Sequence, residues 1–201
     1  MGWGLLHDPM RMTLHQQLVM AHYNQCWGLA TSVLRYAFSA APQDAPFVCE
    51  FALGADAEVL HVYATIGMSD APMPNGQRIE LFMYAREQND DLRDSLALLA
   101  TYPFRQGLSL GPLDTIYGSR GLVAGSRLTS VLLALPTREP EEFAVIDGGD
   151  ALVQMLQAVP ITDSEREFAV ERGSLALLEQ LARHGADLAD LEREEVAGGG
   201  T

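Results

Sequence analysis

Two stretches of the chain alternate their side chains with a period of two. Within 58–66, Leu60, Val62, Ala64 and Ile66 fall on one side and Val59, His61, Tyr63 and Thr65 on the other; within 78–85, Ile79, Leu81 and Met83 oppose Glu80, Phe82 and Tyr84. Successive strand residues point to opposite faces, so both stretches read as β-strands. Between them, Gly67 to Gly76 carries Ser69, Asp70, Pro72, Pro74 and Asn75 and reads as a turn region. Shorter runs over 32–39, 47–53, 113–117, 128–135, 143–146 and 152–159 also have strand character. Three segments follow the helical period instead. The first, 13–25, opens on a Thr13–Gln16 capping box and lines up Leu14, Leu18 and Ala21. The second, 90–102, has Asn89 or Asp90 as its cap, Leu92, Leu96 and Leu99 on one face and Pro103 as its stop. The third opens on a Thr162–Glu165 capping box after a break at Pro160-Ile161. Its apolar stripe is Phe168, Leu175, Leu178 and Ala182; Gly173 is placed to split it and Gly185 to end it.

Strands in blocks, with helices at the ends and one in the middle, predict an α+β fold: a mixed, mainly antiparallel sheet sandwich with flanking helices. The expected organisation is an N-terminal helical segment over 1–30, a main domain over 31–185, and an acidic stretch over 186–201. That last stretch reads as a marginal helix running into a flexible tail. No internal repeat is present.

Charge narrows the function classes. The sequence has 27 acidic and 13 basic residues, a formal net charge of −14, and every basic residue is Arg. A nucleic-acid surface needs a basic face, so that class is excluded. A Lys nucleophile, a Schiff-base Lys and a P-loop Lys are excluded together. A basic protein partner suits an acidic surface, because opposite potentials speed encounter. Cys26 and Cys49 make neither a disulfide framework nor a zinc knuckle, and the reducing cytoplasm is the expected location. There is no signal-peptide pattern and no uncharged apolar run of about 18 residues, so no membrane segment is expected.

The motifs that could carry chemistry are weak. Gly107-Leu108-Ser109-Leu110-Gly111 fits the G-x-S-x-G pattern of serine hydrolases, which needs a strand-to-helix elbow. Here Pro112 and strand-like residues follow, and His184 is the one downstream histidine. His15 and His22 share a helix face but stand about 10 Å apart along the axis, too far to chelate. His61 reads as a half-buried strand histidine bonded to a neighbour. No phosphate-binding glycine loop appears, and neither a metal nor a cofactor is expected.

The run His61-Val62-Tyr63-Ala64-Thr65-Ile66-Gly67-Met68-Ser69-Asp70-Ala71-Pro72-Met73, then Ile79-Glu80-Leu81-Phe82-Met83-Tyr84, resembles the suppressor-of-fused domain family. Val159-Pro160-Ile161-Thr162 with Glu165, Glu167 and Gly173 matches further along, as do Tyr102-Pro103-Phe104, Gly107 and Asp114-Thr115. The resemblance implies a mixed α/β domain over 31–185 without catalytic activity, of the bacterial stand-alone type. It implies another protein as partner: a toxin neutralised by an immunity protein, or an endogenous protein bound by a scaffold or regulator. The animal member restrains a transcription factor and has an additional C-terminal domain not matched here. The signature residues His61, Tyr63, Thr65, Gly67, Met68, Ser69, Asp70, Met73, Glu80, Pro160, Thr162 and Glu165 read from their chemistry as structural. Gly67 supplies an unusual backbone conformation, Met68 and Met73 pack under the loop, and Ser69 and Asp70 bond nearby amides. Exposed acidic positions Asp90, Asp91, Glu141 and Glu142 are the expected partner contacts.

Overall fold

The computed structural model describes residues 12–36, 46–54, 59–118 and 121–196. Among them are eight strands and four α-helices. In chain order these are α1 (Leu14–Trp27), β1 (Ser32–Arg35), β2 (Phe47–Leu53), β3 (Leu60–Ile66), β4 (Arg78–Ala85), α2 (Asp90–Gln106), β5 (Thr115–Tyr117), β6 (Leu128–Ala134), β7 (Val145–Asp147), β8 (Leu152–Thr162), α3 (Asp163–Arg172) and α4 (Ser174–Arg183). The architecture is α+β. One mixed sheet runs β1-β2-β3-β4-β8-β6-β5, with β7 pairing the start of β8. β4 and β8 are parallel; the other pairs are antiparallel. The expected ends of the first and third strand runs, Ser39 and Glu58, lie outside the described residues.

Both faces of the sheet are covered, which is why β3 and β4 are buried on both sides. Tyr63, Ile79, Leu81 and Met83 meet Leu92, Leu96 and Leu99 of α2 on one face. Val62, Ala64, Ile66, Phe82 and Tyr84 meet Val19, Tyr23 and Trp27 of α1 on the other. On that second face α3 and α4 cover the far end, packing Ala169, Leu177 and Leu181 on Leu132, Val159 and Ile161.

The capping boxes form at both expected helix starts. Thr13 and Gln16 bond reciprocally, as do Thr162 and Glu165. The faces differ from expectation, however. α1 buries Gln16, Val19, Tyr23 and Trp27, while Leu14 is 73% exposed and Leu18 and Ala21 face outward. The aromatic edge is the larger apolar surface, so it takes the core. Likewise α4 buries Leu177 and Leu181, whereas Leu175 and Ala182 are exposed. Gly173, with φ 97°, does divide the expected helix into α3 and α4.

Neither proline break falls where expected. Pro103 lies inside α2, which runs on to Gln106. It forgoes one helical bond, but its own carbonyl closes the last turn by accepting the Gly107 and Leu108 amides at 2.9 Å for Leu108. Pro160 lies inside β8. β8 pairs β4 only over Val153–Gln157, whereas Pro160 faces Val131 of β6 alone, so no ladder bond to β4 is lost. The two strands thus fork beyond Phe82 and Gln157.

Residues 186–196 fill that fork. They form turns where a marginal helix was expected; 197–201 of the expected tail lie outside the described residues. Ala189 packs in the α1-side core, while Leu191 packs against the α2-side core. The Arg86 amide donates to the Ala189 carbonyl on the β4 side. On the β8 side, Arg193 donates 2.7 Å bonds to both oxygens of Glu165 and a 3.0 Å bond to the Pro160 carbonyl. Glu165 is fully buried, and hydrogen bonds from Arg193 hold its carboxyl below the usual range against the opposing effect of desolvation. Removing one partner of a buried pair strands the other charge. Arg193→Ala is therefore expected to lower the unfolding free energy by about 3 kcal/mol, measured by urea denaturation. A change within ~0.5 kcal/mol, the range of neutral surface substitutions, would show that the segment contributes no stability.

Candidate functional site

The signature residues converge on one buried carboxylate. The turn after β3 begins with Gly67 at φ 101°, a left-handed conformation that glycine tolerates and other residues resist. This turn aims two amides back at β4. Glu80 Oε1 accepts from Gly67 N at 2.9 Å, Ser69 N at 3.0 Å and Ser69 Oγ at 2.6 Å. Its Oε2 accepts from Thr65 Oγ1 at 2.5 Å, and Thr65 Oγ1 in turn accepts the Leu81 amide at 2.8 Å. Glu80 is wholly inaccessible to solvent; burial pushes its carboxyl up to about 7 in spite of these donors, which pull it down.

Elements remote in sequence lock the same loop. Asp70 Oδ2 accepts Gln16 Nε2 at 2.5 Å. Arg78 Nη1 donates to the carbonyls of Ser69 and Asp70, each at 2.6 Å. His15 Nε2 lies 2.8 Å from Ser69 Oγ. Met68 and Met73 are buried in the α2-side core. Tyr63 Oη accepts the Asn89 amide at 2.7 Å, fixing the start of α2. His61 Nδ1 lies 3.0 Å from Glu50 Oε1, whose other oxygen accepts Gln88 Nε2 at 3.1 Å. Pro160, Thr162 and Glu165 form a separate interior cluster with Arg193.

His15, Gln16, Arg78 and Arg193 were not singled out as partners of these clusters by the sequence pattern. Gln16 alone left a signal there, as the capping-box residue of α1. The signature is thus an internal frame with little surface to offer a partner. The acidic positions expected to contact one are exposed but divided. Asp90 and Asp91 sit in the first turn of α2, with Asp90 paired to Arg93 at 2.9 Å and Asp91 accepting the Ala124 amide at 3.1 Å. Glu141 and Glu142 open a short turn ending at Phe143, which packs on the α1 face. The two pairs therefore lie on opposite sides of the sheet.

Ser109 lies after a helix and before a strand, the reverse of a nucleophile elbow, and its Oγ accepts the Asn75 amide at 3.0 Å. His22 bonds the Phe143 carbonyl and His184 the Gln180 carbonyl, so neither faces Ser109 through those bonds. No group of three or more metal-ligating side chains occurs among the described residues.

Two surface features remain. Among the described residues, β5 is an edge strand. Beside it, a cavity of about 310 Å³ opens between β5 and α2, lined by Leu98, Leu99, Tyr102, Ile116, Tyr117 and Leu122 with Arg105 and Gln106. Leu98 and Tyr117 of this lining are exposed, as is Leu113, which precedes β5 and adopts φ 73°. The second feature is a cleft of about 780 Å³ along the 189–194 segment, lined by Glu87, Asp190, Glu192 and Glu194 and by Arg86, Arg127 and Arg193.

This frame defines a class of α+β domain, and comparison with known proteins gives the family. The suppressor of fused protein family model matches residues 48–194, so the chain belongs to that family. Solved structures share the fold. A suppressor of fused homolog from Neisseria gonorrhoeae superposes with a TM-score of 0.74 at 19% identity, covering 90% of this chain and 96% of that one. A chain of a Sufu–Fu complex gives 0.72 at 16% identity, covering 90% and 92%. Drosophila Suppressor of Fused gives 0.67 at 19% identity, covering 95% of this chain and 54% of that one. No curated protein matches the sequence.

The raised Glu80 carboxyl sets a pH dependence. The folded protein holds this proton more tightly than the unfolded chain. Its contribution to stability is therefore full below about pH 4.5 and is lost as pH rises to about 7. Relative to Glu80→Gln, the wild type should lose roughly 3 kcal/mol of unfolding free energy across that window. Parallel pH profiles of the two proteins by chemical denaturation check this.

Proposed function

We propose that this chain is a non-catalytic protein-binding domain that receives an extended segment of its partner along the free edge of β5. The observation that carries this reading is the coincidence of an edge strand, an adjoining apolar cavity and the exposed hydrophobic residues Leu98, Leu113 and Tyr117. Strand addition draws affinity from main-chain bonds and specificity from a neighbouring pocket. An apolar partner side chain fits between Leu98 and Tyr117, with Arg105 at the rim. The partner protein in the solved Sufu–Fu complex supports binding as the role. Two free cysteines, Cys26 and Cys49, suit the cytoplasm.

A photo-crosslinker placed at Tyr117 should capture the partner in the native cell, and one at Leu175 on α4 should not. Tyr117→Glu should weaken binding by about tenfold or more. Equal capture at both positions would refute the β5 edge as the binding surface.

The cleft along 189–194 favours a second reading, an immunity protein that neutralises a basic toxin domain. Net charge −14 and the Glu87, Asp190, Glu192 and Glu194 lining support it. Charge reversal at Glu192 and Glu194 should then slow association by about tenfold at low salt, read by stopped flow against the toxin-like product of a neighbouring reading frame. Binding insensitive to both salt and reversal, or a chain that does not protect cells from that product, sinks this reading.

A further inference from the structure

His15, Ser69 and Glu80 join three remote parts of the chain in a line. The His15 ring is seated by three groups. Nδ1 lies 3.1 Å from the Gly148 carbonyl and 3.7 Å from Asp150 Oδ1, and Nε2 lies 2.8 Å from Ser69 Oγ. The seat is shaped for the ring: a Cβ at residue 148 would stand 2.6 Å from His15 Cε1.

Counting hydrogens along this line gives a definite result. A carbonyl only accepts, so Nδ1 carries a hydrogen. Ser69 has a single hydroxyl hydrogen, and both Glu80 Oε1 and His15 Nε2 are in reach of it. If it goes to an ionised Glu80, Nε2 must bring its own hydrogen, and the ring is a cation. If it goes to Nε2, the 2.6 Å contact with Glu80 is a hydrogen bond only when the carboxyl is protonated. Both arrangements hold the same number of protons and differ by transfer of one across Ser69. With one proton fewer, a carboxylate and a neutral imidazole face a hydroxyl that can serve one of them. The other short contact then sets acceptor against acceptor, at a cost raised by the burial of Ser69 and Glu80.

We propose that His15 and Glu80 share one proton through the Ser69 hydroxyl, and that its loss breaks the His15 link between α1 and the 67–70 loop while the Gln16–Asp70 bond stays. The pair is a proton-controlled latch between the N-terminal helix and the signature turn.

The surrounding charges leave this count intact. Tyr23 of α1 and Cys49 of β2 face Glu80, and burial raises both, Cys49 to about 12. Asp150 approaches the imidazole, but Arg78 Nη2 is 3.2 Å from that same carboxylate. Asp70 accepts Gln16, and Asp147 accepts the Gly149 amide.

The test uses the whole chain with ¹⁵N-labelled histidine and ¹³C-labelled glutamate. The His15 ring nitrogens, the Glu80 carboxyl and amide exchange at 67–70 are followed together from about pH 5 to 9. The expected result is one shared step. The His15 Nε2 signal changes where the Glu80 signal moves, and exchange at 67–70 accelerates at least about tenfold beyond its intrinsic rise. In Glu80→Gln, that change in the Nε2 signal and the extra acceleration both disappear. Separate steps for His15 and Glu80 more than about one pH unit apart overturn the proposal. So do His15 shifts unchanged in Glu80→Gln. Should that variant not fold, the wild-type titration alone decides.

Discussion

A carboxylate buried without water costs several kcal/mol unless donors surround it. Glu80 meets that demand with two backbone amides and two hydroxyls, and meeting it dictates much of the local structure. The amides can point inward only if the chain reverses tightly after β3, which is the reason for glycine at 67. The Thr65 hydroxyl reaches Glu80 while accepting the Leu81 amide of the facing strand, a geometry that fits the observed pairing of β3 and β4. Once Ser69 is drawn in, its hydroxyl and carbonyl face His15 and Arg78. The helix, the turn and the central strands are therefore positioned by one another around a single polar atom group.

The same economy governs the other end of the sheet. β4 and β8 separate after five paired residues, and parted strands expose backbone groups that must be satisfied. The 186–196 segment satisfies part of this need from both sides. Its one buried cation, Arg193, is a fork-shaped donor that matches a carboxylate and a carbonyl at once. An arginine-only complement suits this role, since a lysine could not make the bidentate contact.

Strand positions were legible in the sequence where alternation and turn residues coincided, as for β2 and β4, whose bounds match the sequence pattern. Helix starts were legible because capping is local chemistry: Thr13 and Thr162 act within their own first turns. What was illegible depends on contacts far along the chain. Leu14 and Leu18 repeat as regularly as Val19 and Tyr23, and only the sheet decides which edge of α1 is buried. Pro160 reads as a break unless one knows that β8 has a single neighbour there. Arg193 looks like one charge in an acidic run, because its partner Glu165 lies 28 residues away. The signature residues were recognisable as a set and read as structural. Their dependence on His15 and Gln16, outside the matched residues 48–194, was not.

The segment closing the fork is also the last of the described residues to leave the ribosome. β4 and β8 emerge well before it, so a growing chain passes through a stage with a complete set of strands and an unsealed gap between two of them. Such a gap offers bare strand edges to any neighbouring nascent chain. Synthesis rate and early capture by a chaperone therefore bear on the yield of this protein more than the stability of its finished sheet would indicate.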